Sequence, residues 1–230
     1  MDFTAPQAPS NALADTSLAA EASDDRDASE SVADFAPLLV LTPAAWTEVV
    51  LQDFDAFLID HACCERKAAA LCVSYVARHA DRPTLVEPMV ALAREELEHF
   101  QQVYRLLRRR GLRLGPNGKD RYAAGLIDHV RSGPAEGFLD RLIVAALIEA
   151  RSHERFHRLA LALPTAPRAE ERELAPFYRA LARAEAGHCR VFTRAAETLF
   201  PEAEVQAVLD RFAKVEAELV TRLPWLPQVH

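Results

Sequence analysis

Two Glu-x-x-His motifs carry the clearest chemical meaning in this sequence. Glu96 and His99 form the first motif, and Glu185 and His188 form the second. In an α-helix, residues three apart lie on one face, so each motif presents a carboxylate and an imidazole together. One copy is common by chance. Two copies on alternate helices of a bundle are typical of proteins that bind two metal ions in the bundle core.

Glutamates in two other helical segments complete this metal-binding set. Glu65 follows Leu58 and His61 at helical spacing, and Glu149 continues a similar apolar stripe. Carboxylates bridge hard cations and offset their charge, while each imidazole supplies a neutral nitrogen; the same donors suit iron and manganese. Burying four carboxylates without cations is costly. The sequence therefore predicts a dinuclear metal site with six ligands: Glu65, Glu96, His99, Glu149, Glu185 and His188.

Two assignments around this site stay open at the level of sequence. Glu154 competes with Glu149 as the ligand from the third long helix. Facing ligands of antiparallel helices lie about equally far from the connecting loop, at about 1.5 Å per residue. That criterion favours Glu149 if the next helix begins near Arg168, and Glu154 if it begins at Pro176. His61, one turn before Glu65, either orients a ligand or packs in the core.

The composition indicates which elements position these residues. The chain has 230 residues with only 7 glycines, and it is rich in Ala, Leu, Glu and Arg, which favours helices over strands. Thr42 and Pro43 read as a helix start. Long helices are expected up to about residue 79 and over 84–110, 136–163, 168–200 and 202–223, with a short one at 121–129. We therefore predict an all-α four-helix bundle with a long crossover and extra short helices.

The acidic charge of the chain is concentrated at its N-terminus. Residues 1–36 contain eight of the 34 acidic residues and one of the 27 basic residues, so 37–230 is formally neutral. The segment 1–36 is rich in Ala, Ser, Asp and Pro without periodicity, which predicts a disordered acidic tail before one folded domain at 37–230.

Several classes of protein lack support in the sequence. No secretory signal pattern or long apolar stretch is present, and the four cysteines have no paired spacing, which together indicate a protein of the reducing cytoplasm. The glycine motifs of nucleotide-binding loops are also missing.

A basic stretch follows the first Glu-x-x-His motif. It is either a solvated helix end or a surface that contacts the phosphate backbone of a nucleic acid. Its residues are Arg105, Arg108, Arg109, Arg110, Arg113, Lys119 and Arg121.

Longer strings around these motifs resemble the tRNA 2-methylthio-N6-isopentenyladenosine hydroxylases. The resemblance spans about residues 37–225 and rests on five segments: Leu39–Pro43, Asp60–Ala69, Glu95–Phe100, Ile148–Phe156 and Glu185–His188. It implies a ferritin-like di-iron monooxygenase that hydroxylates the isopentenyl group of the modified adenosine next to the tRNA anticodon. O2 would be the co-substrate, and a reductase or a ferredoxin-type protein would supply electrons.

The resemblance also assigns roles to the predicted ligands. Glu96 and Glu185 would bridge the two iron ions, and Glu65 and Glu149 would be terminal carboxylates, with no catalytic residue beyond the ligands. Two other interpretations remain. One is a ferritin-like protein that oxidises iron or removes peroxide without a tRNA substrate. The other is a helical RNA-binding protein without enzymatic activity.

Overall fold

A computed structural model describes residues 31–116, 118 and 120–230, and the regular structure of these residues is entirely helical, as predicted. The α-helices, in chain order, are α1 (Ala45–Gln52), α2 (Phe54–Arg78), α3 (Pro83–Arg109), α4 (Arg121–Ile127), α5 (Pro134–Ala162), α6 (Ala169–Arg172), α7 (Ala175–Leu199) and α8 (Glu202–Arg222). Within this part of the chain, no helix is long and apolar enough to cross a membrane.

The ends of the long helices follow from local chemistry. The Asp53 carboxylate accepts a hydrogen bond from the Ala56 amide (3.1 Å) at the start of α2. Proline occupies the first position of both α3 and α5, where its missing N–H costs nothing. The prediction that Thr42 caps a helix is wrong. α1 begins at Ala45, and the Thr42 hydroxyl instead binds Glu154 (2.6 Å).

Two antiparallel helix pairs build the bundle: α2 packs along α3, α5 packs along α7, and α8 covers α5. Buried apolar side chains form two clusters, one including Leu92 and Phe192 and the other including Phe57 and Phe156. Each bundle helix also carries, among these apolar residues, one of four buried glutamates. The four are Glu65, Glu96, Glu149 and Glu185.

The folded part begins earlier than the sequence predicts. A 3-10 helix, Val32–Phe35, is capped by Ser31, and Phe35 is buried against the rings of His153 (4.9 Å) and His157 (5.5 Å) on α5. The prediction of a tail ending at residue 36 is therefore wrong for residues 31–36, because burial of one aromatic side chain anchors them. Residues 1–30 lie outside the described residues, so the rest of that prediction stays a prediction.

Arg151, buried on α5, forms hydrogen bonds that connect α8 and the segment before α1 to the bundle. Its Nε donates to Glu216 Oε1 on α8 (2.9 Å), and its Nη1 donates to Glu154 Oε2 (2.9 Å) and to the Thr42 hydroxyl (3.1 Å). The Tyr122 hydroxyl of α4 donates to the same Glu216 oxygen (3.0 Å). These contacts pair the buried Arg151 charge with two carboxylates inside the protein.

Substitution of Glu216 by alanine should strongly destabilise the fold, because it leaves the buried Arg151 charge without a main partner. We expect Glu216→Ala to lower the free energy of unfolding by about 3 kcal/mol or more in urea denaturation. Glu218, exposed on the same helix, is the matched control, and Glu218→Ala should change stability by less than about 0.5 kcal/mol. Equal effects of the two variants would contradict this account of the network.

Candidate metal centre

The bundle brings the six predicted ligand residues together. Single donor atoms of Glu96, Glu149, Glu185 and His188 lie within 4.8 Å of one another, and all four residues are buried. His99 joins Glu96 and His188 in a second such group, and it joins Glu65 and Glu185 in a third. The three groups share members, so the six side chains form one continuous cluster between the two helix pairs.

Within the described part of the chain, four donor atoms of this cluster are buried without hydrogen-bond partners. His188 Nδ1 lies 2.7 Å from Glu96 Oε1 and 3.3 Å from Glu185 Oε2. These three atoms and His99 Nδ1 are buried and have no hydrogen-bond partner among the described residues. Buried polar atoms are nearly always paired, so four convergent exceptions fit a site whose partner is a bound cation.

The electrostatics of the cluster point the same way. Burial and the charges of neighbouring carboxylates raise the pKa of Glu96 and of Glu149 well above the usual range for glutamate. Burial alone would lower the pKa of His188, but the carboxylates of Glu185 and Glu96 outweigh it and raise that pKa to about 12. These shifts show that the surroundings of Glu96, Glu149 and His188 favour added positive charge. Iron or manganese ions would supply that positive charge, because both bind carboxylate oxygens and imidazole nitrogens.

Tyr178 and His61 form a chain of hydrogen bonds that ends at the Glu65 carboxylate. His61 Nε2 donates to Glu65 Oε1 (2.6 Å), and His61 Nδ1 accepts from the Tyr178 hydroxyl (3.1 Å). All three side chains are buried. Of the two roles left open for His61, the structure shows the contact with Glu65, an arrangement that typically orients metal ligands. Sequence reasoning missed Tyr178, because α7 brings it to α2 only through tertiary packing.

Glu95 contacts the nitrogen of His188 that faces away from the cluster. Sequence reasoning did not select Glu95. His188 Nε2 donates to Glu95 Oε2 (3.1 Å), which leaves Nδ1 directed into the cluster. The Glu95 side chain is 58% exposed, so this contact connects the cluster to the protein surface. Its position next to Glu96 was the available signal, but a surface glutamate next to a motif is too common to single out.

Glu154, the competitor of Glu149, lies outside the cluster. Its carboxylate accepts hydrogen bonds from Arg151 (2.9 Å), from the Thr42 amide (2.9 Å) and from Arg158. Five residues separate Glu149 from Glu154, so the two point about 140° apart around the helix axis. The loop-distance criterion pointed the wrong way, because α7 begins at Ala175, the condition that favoured Glu154. Residues 163–174 contain only short helical segments. The face of α5 on which each glutamate lies, and not its distance from the loop, therefore distinguishes Glu149 from Glu154.

A cavity of about 230 Å³ opens beside the cluster. Carboxylates of the cluster, including Glu149 and Glu185, form one part of its lining, and the rest is mainly apolar. The apolar lining residues are Ala68, Leu71, Ala123, Ile127, Ala145, Ile148, Phe156 and Val229. Such a space suits a small hydrocarbon group held next to bound metal ions.

Polar residues from separate elements also line this cavity. Ser152 comes from α5, Lys67 from α2, Asp120 from the start of α4, and His230 from the segment after α8. Cys64, Asp120 and His230 place one donor atom each within 4.8 Å of one another. Sequence reasoning did not select Ser152 or His230, because no motif links residues so far apart.

The basic stretch divides into two environments. Arg110 is half-buried and forms ion pairs with Asp55 (2.7 Å), Glu170 (3.1 Å) and Glu171 (3.4 Å), so it serves the fold. Lys119 lies outside the described residues. The remaining members of the stretch are exposed: Arg105, Arg108, Arg109, Arg113 and Arg121.

The connection between α3 and α4, which contains Arg113, leads toward the cavity. The Gly115 carbonyl lies 3.8 Å from Cys63 Sγ on α2, and Asp120 lies 3.4 Å from Lys67 Nζ. Because Asp120 and Ala123 line the cavity, the exposed Arg121 stands next to that lining. The cysteines of the chain, including Cys63, are all free thiols.

Comparison with known families gives a match over most of the chain. Residues 27–230 match the family model described as tRNA-(MS[2]IO[6]A)-hydroxylase (MiaE). A protein of Pseudomonas putida named tRNA 2-(methylsulfanyl)-N(6)-isopentenyladenosine(37) hydroxylase is 40% identical over 179 residues, covering 78% of this chain and 84% of that protein. A Salmonella typhimurium protein of the same name is 36% identical over 136 residues, covering 59% of this chain and 47% of that protein.

A solved structure shares the fold. It is titled "Protein 43 with aldehyde deformylating oxygenase activity from Synechococcus", and it superposes with a TM-score of 0.75 at 37% sequence identity. The match covers 84% of this chain and 94% of the other. The bundle with extra helices therefore belongs to an architecture that also occurs in an oxygenase.

Alanine substitutions of the two competing glutamates should have opposite consequences. We expect Glu149→Ala to lose bound iron after reconstitution, because it removes a donor from the cluster. Glu154→Ala should keep the parent's iron content but lose stability, because Arg151 loses a buried partner. Metal analysis and urea denaturation of both variants measure these effects. Iron loss in Glu154→Ala with full binding in Glu149→Ala would contradict the assignment.

Proposed function

The chain belongs to the tRNA-(MS[2]IO[6]A)-hydroxylase family, and we propose that it hydroxylates the isopentenyl group of 2-methylthio-N6-isopentenyladenosine next to the tRNA anticodon. The single observation that carries this proposal is the placement of the six-residue cluster beside an apolar cavity. An oxygenase of a hydrocarbon group needs both parts in contact.

The chain's residues would have three tasks in this reaction. Glu65, Glu96, His99, Glu149, Glu185 and His188 would hold two iron ions. Apolar side chains such as Leu71 and Ile148 would bind the isopentenyl group and exclude water. His61 and Glu95 would keep the Glu65 and His188 side chains in position.

The iron ions, when bound, would supply O2 reduction and C–H oxidation. In the balanced reaction, one oxygen atom of O2 is inserted into a C–H bond of an allylic methyl group, so the hydrogen is kept in the new hydroxyl group. The other oxygen atom takes up two electrons and two protons and leaves as water. The electrons must come from outside, so we propose an external donor, either a reductase or a ferredoxin-type protein. Because the proposed substrate is a tRNA, we propose that the reaction takes place in the cytoplasm.

The exposed arginines would bind the tRNA backbone. An anticodon loop is single-stranded, so its modified base can be turned out into the cavity at a modest cost in unstacking. Arg121 is next to the cavity lining, and Arg105, Arg108, Arg109 and Arg113 are exposed at the end of α3 and just after it. These side chains offer positive charge to the phosphates. Arg110 is left out of this surface because it pairs with three acids.

The decisive test is mass spectrometry of nucleosides from isopentenyl-modified tRNA treated with iron-loaded protein, O2 and a chemical reductant. We expect the modified adenosine to gain one oxygen atom, and we expect Glu96→Ala to abolish this gain. Glu98→Ala, exposed on the same helix, is the matched control and should retain activity.

Other outcomes of this test would favour other functions. Unchanged tRNA together with rapid consumption of ferrous iron or peroxide would indicate an iron-handling protein. Unchanged tRNA together with conversion of a long-chain aldehyde would point to the activity named for the Synechococcus protein.

The proposed tRNA surface predicts a salt-dependent binding defect. Replacing Arg108 and Arg109 together by alanine should weaken tRNA binding, and it should flatten the dependence of log affinity on log salt by about 0.7–0.9 per lost phosphate contact. Arg183→Ala, exposed on α7, should leave both quantities unchanged. Filter binding at several salt concentrations measures them, and an unchanged salt slope in the double variant would exclude these arginines from the interface.

A further inference from the structure

Ser152 and His230 form a hydrogen-bonded pair in the lining of the cavity. Ser152 Oγ and His230 Nε2 lie 2.9 Å apart, and both residues line the cavity that adjoins the metal cluster. Ser152 is buried, and His230 Nε2 is the polar contact of its hydroxyl among the described residues. The pair is thus a polar spot in a largely apolar pocket.

The segment after α8 holds His230 rigidly in this place. The Val229 amide donates to Asp60 (2.8 Å), and the buried Arg155 guanidinium donates to the Val229 carbonyl (2.8 Å). The His230 ring is stacked on Tyr122 with 5.3 Å between centroids and 13° between planes. These contacts preorganise the imidazole before any substrate binds.

The surroundings of His230 determine which of its nitrogens carries the proton. Nδ1 faces the Asp120 carboxylate (3.6 Å) and Cys64 Sγ (3.9 Å), whose own proton is directed to Asp60 (3.7 Å). The Asp120 carboxylate accepts hydrogen bonds from the Ala123 amide (2.9 Å) and from Lys67 Nζ (3.4 Å), so it is an acceptor in these surroundings. Because both groups that face Nδ1 accept, the neutral form of the ring carries its proton on Nδ1.

This tautomer fixes the direction of the hydrogen bond to Ser152. With its proton on Nδ1, the ring accepts at Nε2, so the Ser152 hydroxyl donates to His230. The lone pairs of Ser152 Oγ then remain as an acceptor for a ligand in the cavity. A ligand whose N–H group reaches Ser152 Oγ can donate a hydrogen bond to it, and a ligand without an N–H group leaves this acceptor unpaired.

A cation between Cys64, Asp120 and His230 explains these residues less well. The Lys67 ammonium lies 3.4 Å from the same Asp120 carboxylate and already supplies the positive charge there. Burial also raises the pKa of the Cys64 thiol well above its ordinary value, which disfavours a thiolate ligand.

The spacing of Ser152 and Glu149 matches the dimensions of an isopentenyladenine. Ser152 follows the proposed iron ligand Glu149 by three residues, or about 4.5 Å along the helix axis. In the substrate, four bonds separate N6 from a terminal methyl carbon, a distance of about 5 Å at ordinary bond lengths. A methyl group held at the metal cluster therefore brings the N6–H group to the level of Ser152.

We propose that Ser152 Oγ accepts a hydrogen bond from the N6–H of the substrate adenine, with His230 and Asp120 as positioning residues. The assignment rests on the proposed function and specifies how that cavity selects its substrate. It predicts that the enzyme requires a secondary amine at N6, because a second alkyl group on N6 removes the donor and leaves the serine lone pairs unpaired.

The test compares two anticodon stem-loops, one with N6-isopentenyladenine and one with N6-methyl-N6-isopentenyladenine. Binding is measured by fluorescence on metal-free protein, so that it does not depend on hydroxylation. We expect Ser152→Ala to weaken binding of the N6–H loop about tenfold and to leave binding of the N6-methyl loop unchanged. Ser74→Ala, whose hydroxyl contacts Arg78 on the outer side of α2, is the control and should bind both loops like the parent.

Hydroxylation of the same loops by the iron-loaded proteins separates the two hypotheses. If the parent hydroxylates the N6–H loop and Ser152→Ala discriminates between the loops as the parent does, the Ser152 assignment is wrong and the proposed function stands. If the parent binds the N6–H loop selectively but adds no oxygen, the proposed function is wrong and the binding assignment stands. Equal weakening of both loops by Ser152→Ala indicates a structural role and also overturns the assignment.

Discussion

The cost of burying negative charge is the constraint on which this structure depends. Glu65, Glu96, Glu149 and Glu185 are buried among the apolar residues of the bundle, where water cannot solvate them. Charge in such surroundings must be paired, protonated or bound to a cation. Two observations reflect this requirement. The pKa values of Glu96 and Glu149 are raised, and several donor atoms of the cluster have no hydrogen-bond partner among the described residues.

The chain contains two kinds of buried acid, and their partners distinguish them. Glu154 and Glu216 share Arg151, and Asp140 pairs with Arg131 (2.7 Å) and Arg211 (2.8 Å), so these groups stabilise the fold without a ligand. Within the described part of the chain, the charged contacts of the four cluster glutamates are imidazoles and one another. This difference supports the proposal that metal ions bind there. It also explains why the centre lies where the two helix pairs meet, since each bundle helix contributes one carboxylate.

Much of the fold and the cluster could be predicted because helical periodicity is local. The i, i+3 spacing of Glu-x-x-His and the apolar stripes before Glu65 and Glu149 are visible in one dimension. The choice between Glu149 and Glu154 depends on which face of the helix each residue occupies. The local signal for the structural role of Glu154 was the presence of Arg151 and Arg158, one turn to either side of it. Long-range contacts had no such signal: Phe35 in the core, Tyr178 behind His61, and His230 beside Ser152 depend on tertiary packing.

Anomalous diffraction at the iron absorption edge, from crystals of iron-loaded protein, would locate the bound iron. We expect two iron peaks enclosed by the carboxylates and imidazoles of the six-residue cluster, next to the apolar cavity. An iron peak at Cys64, Asp120 and His230 instead, or an iron-free cluster in fully active protein, would contradict the proposed metal centre.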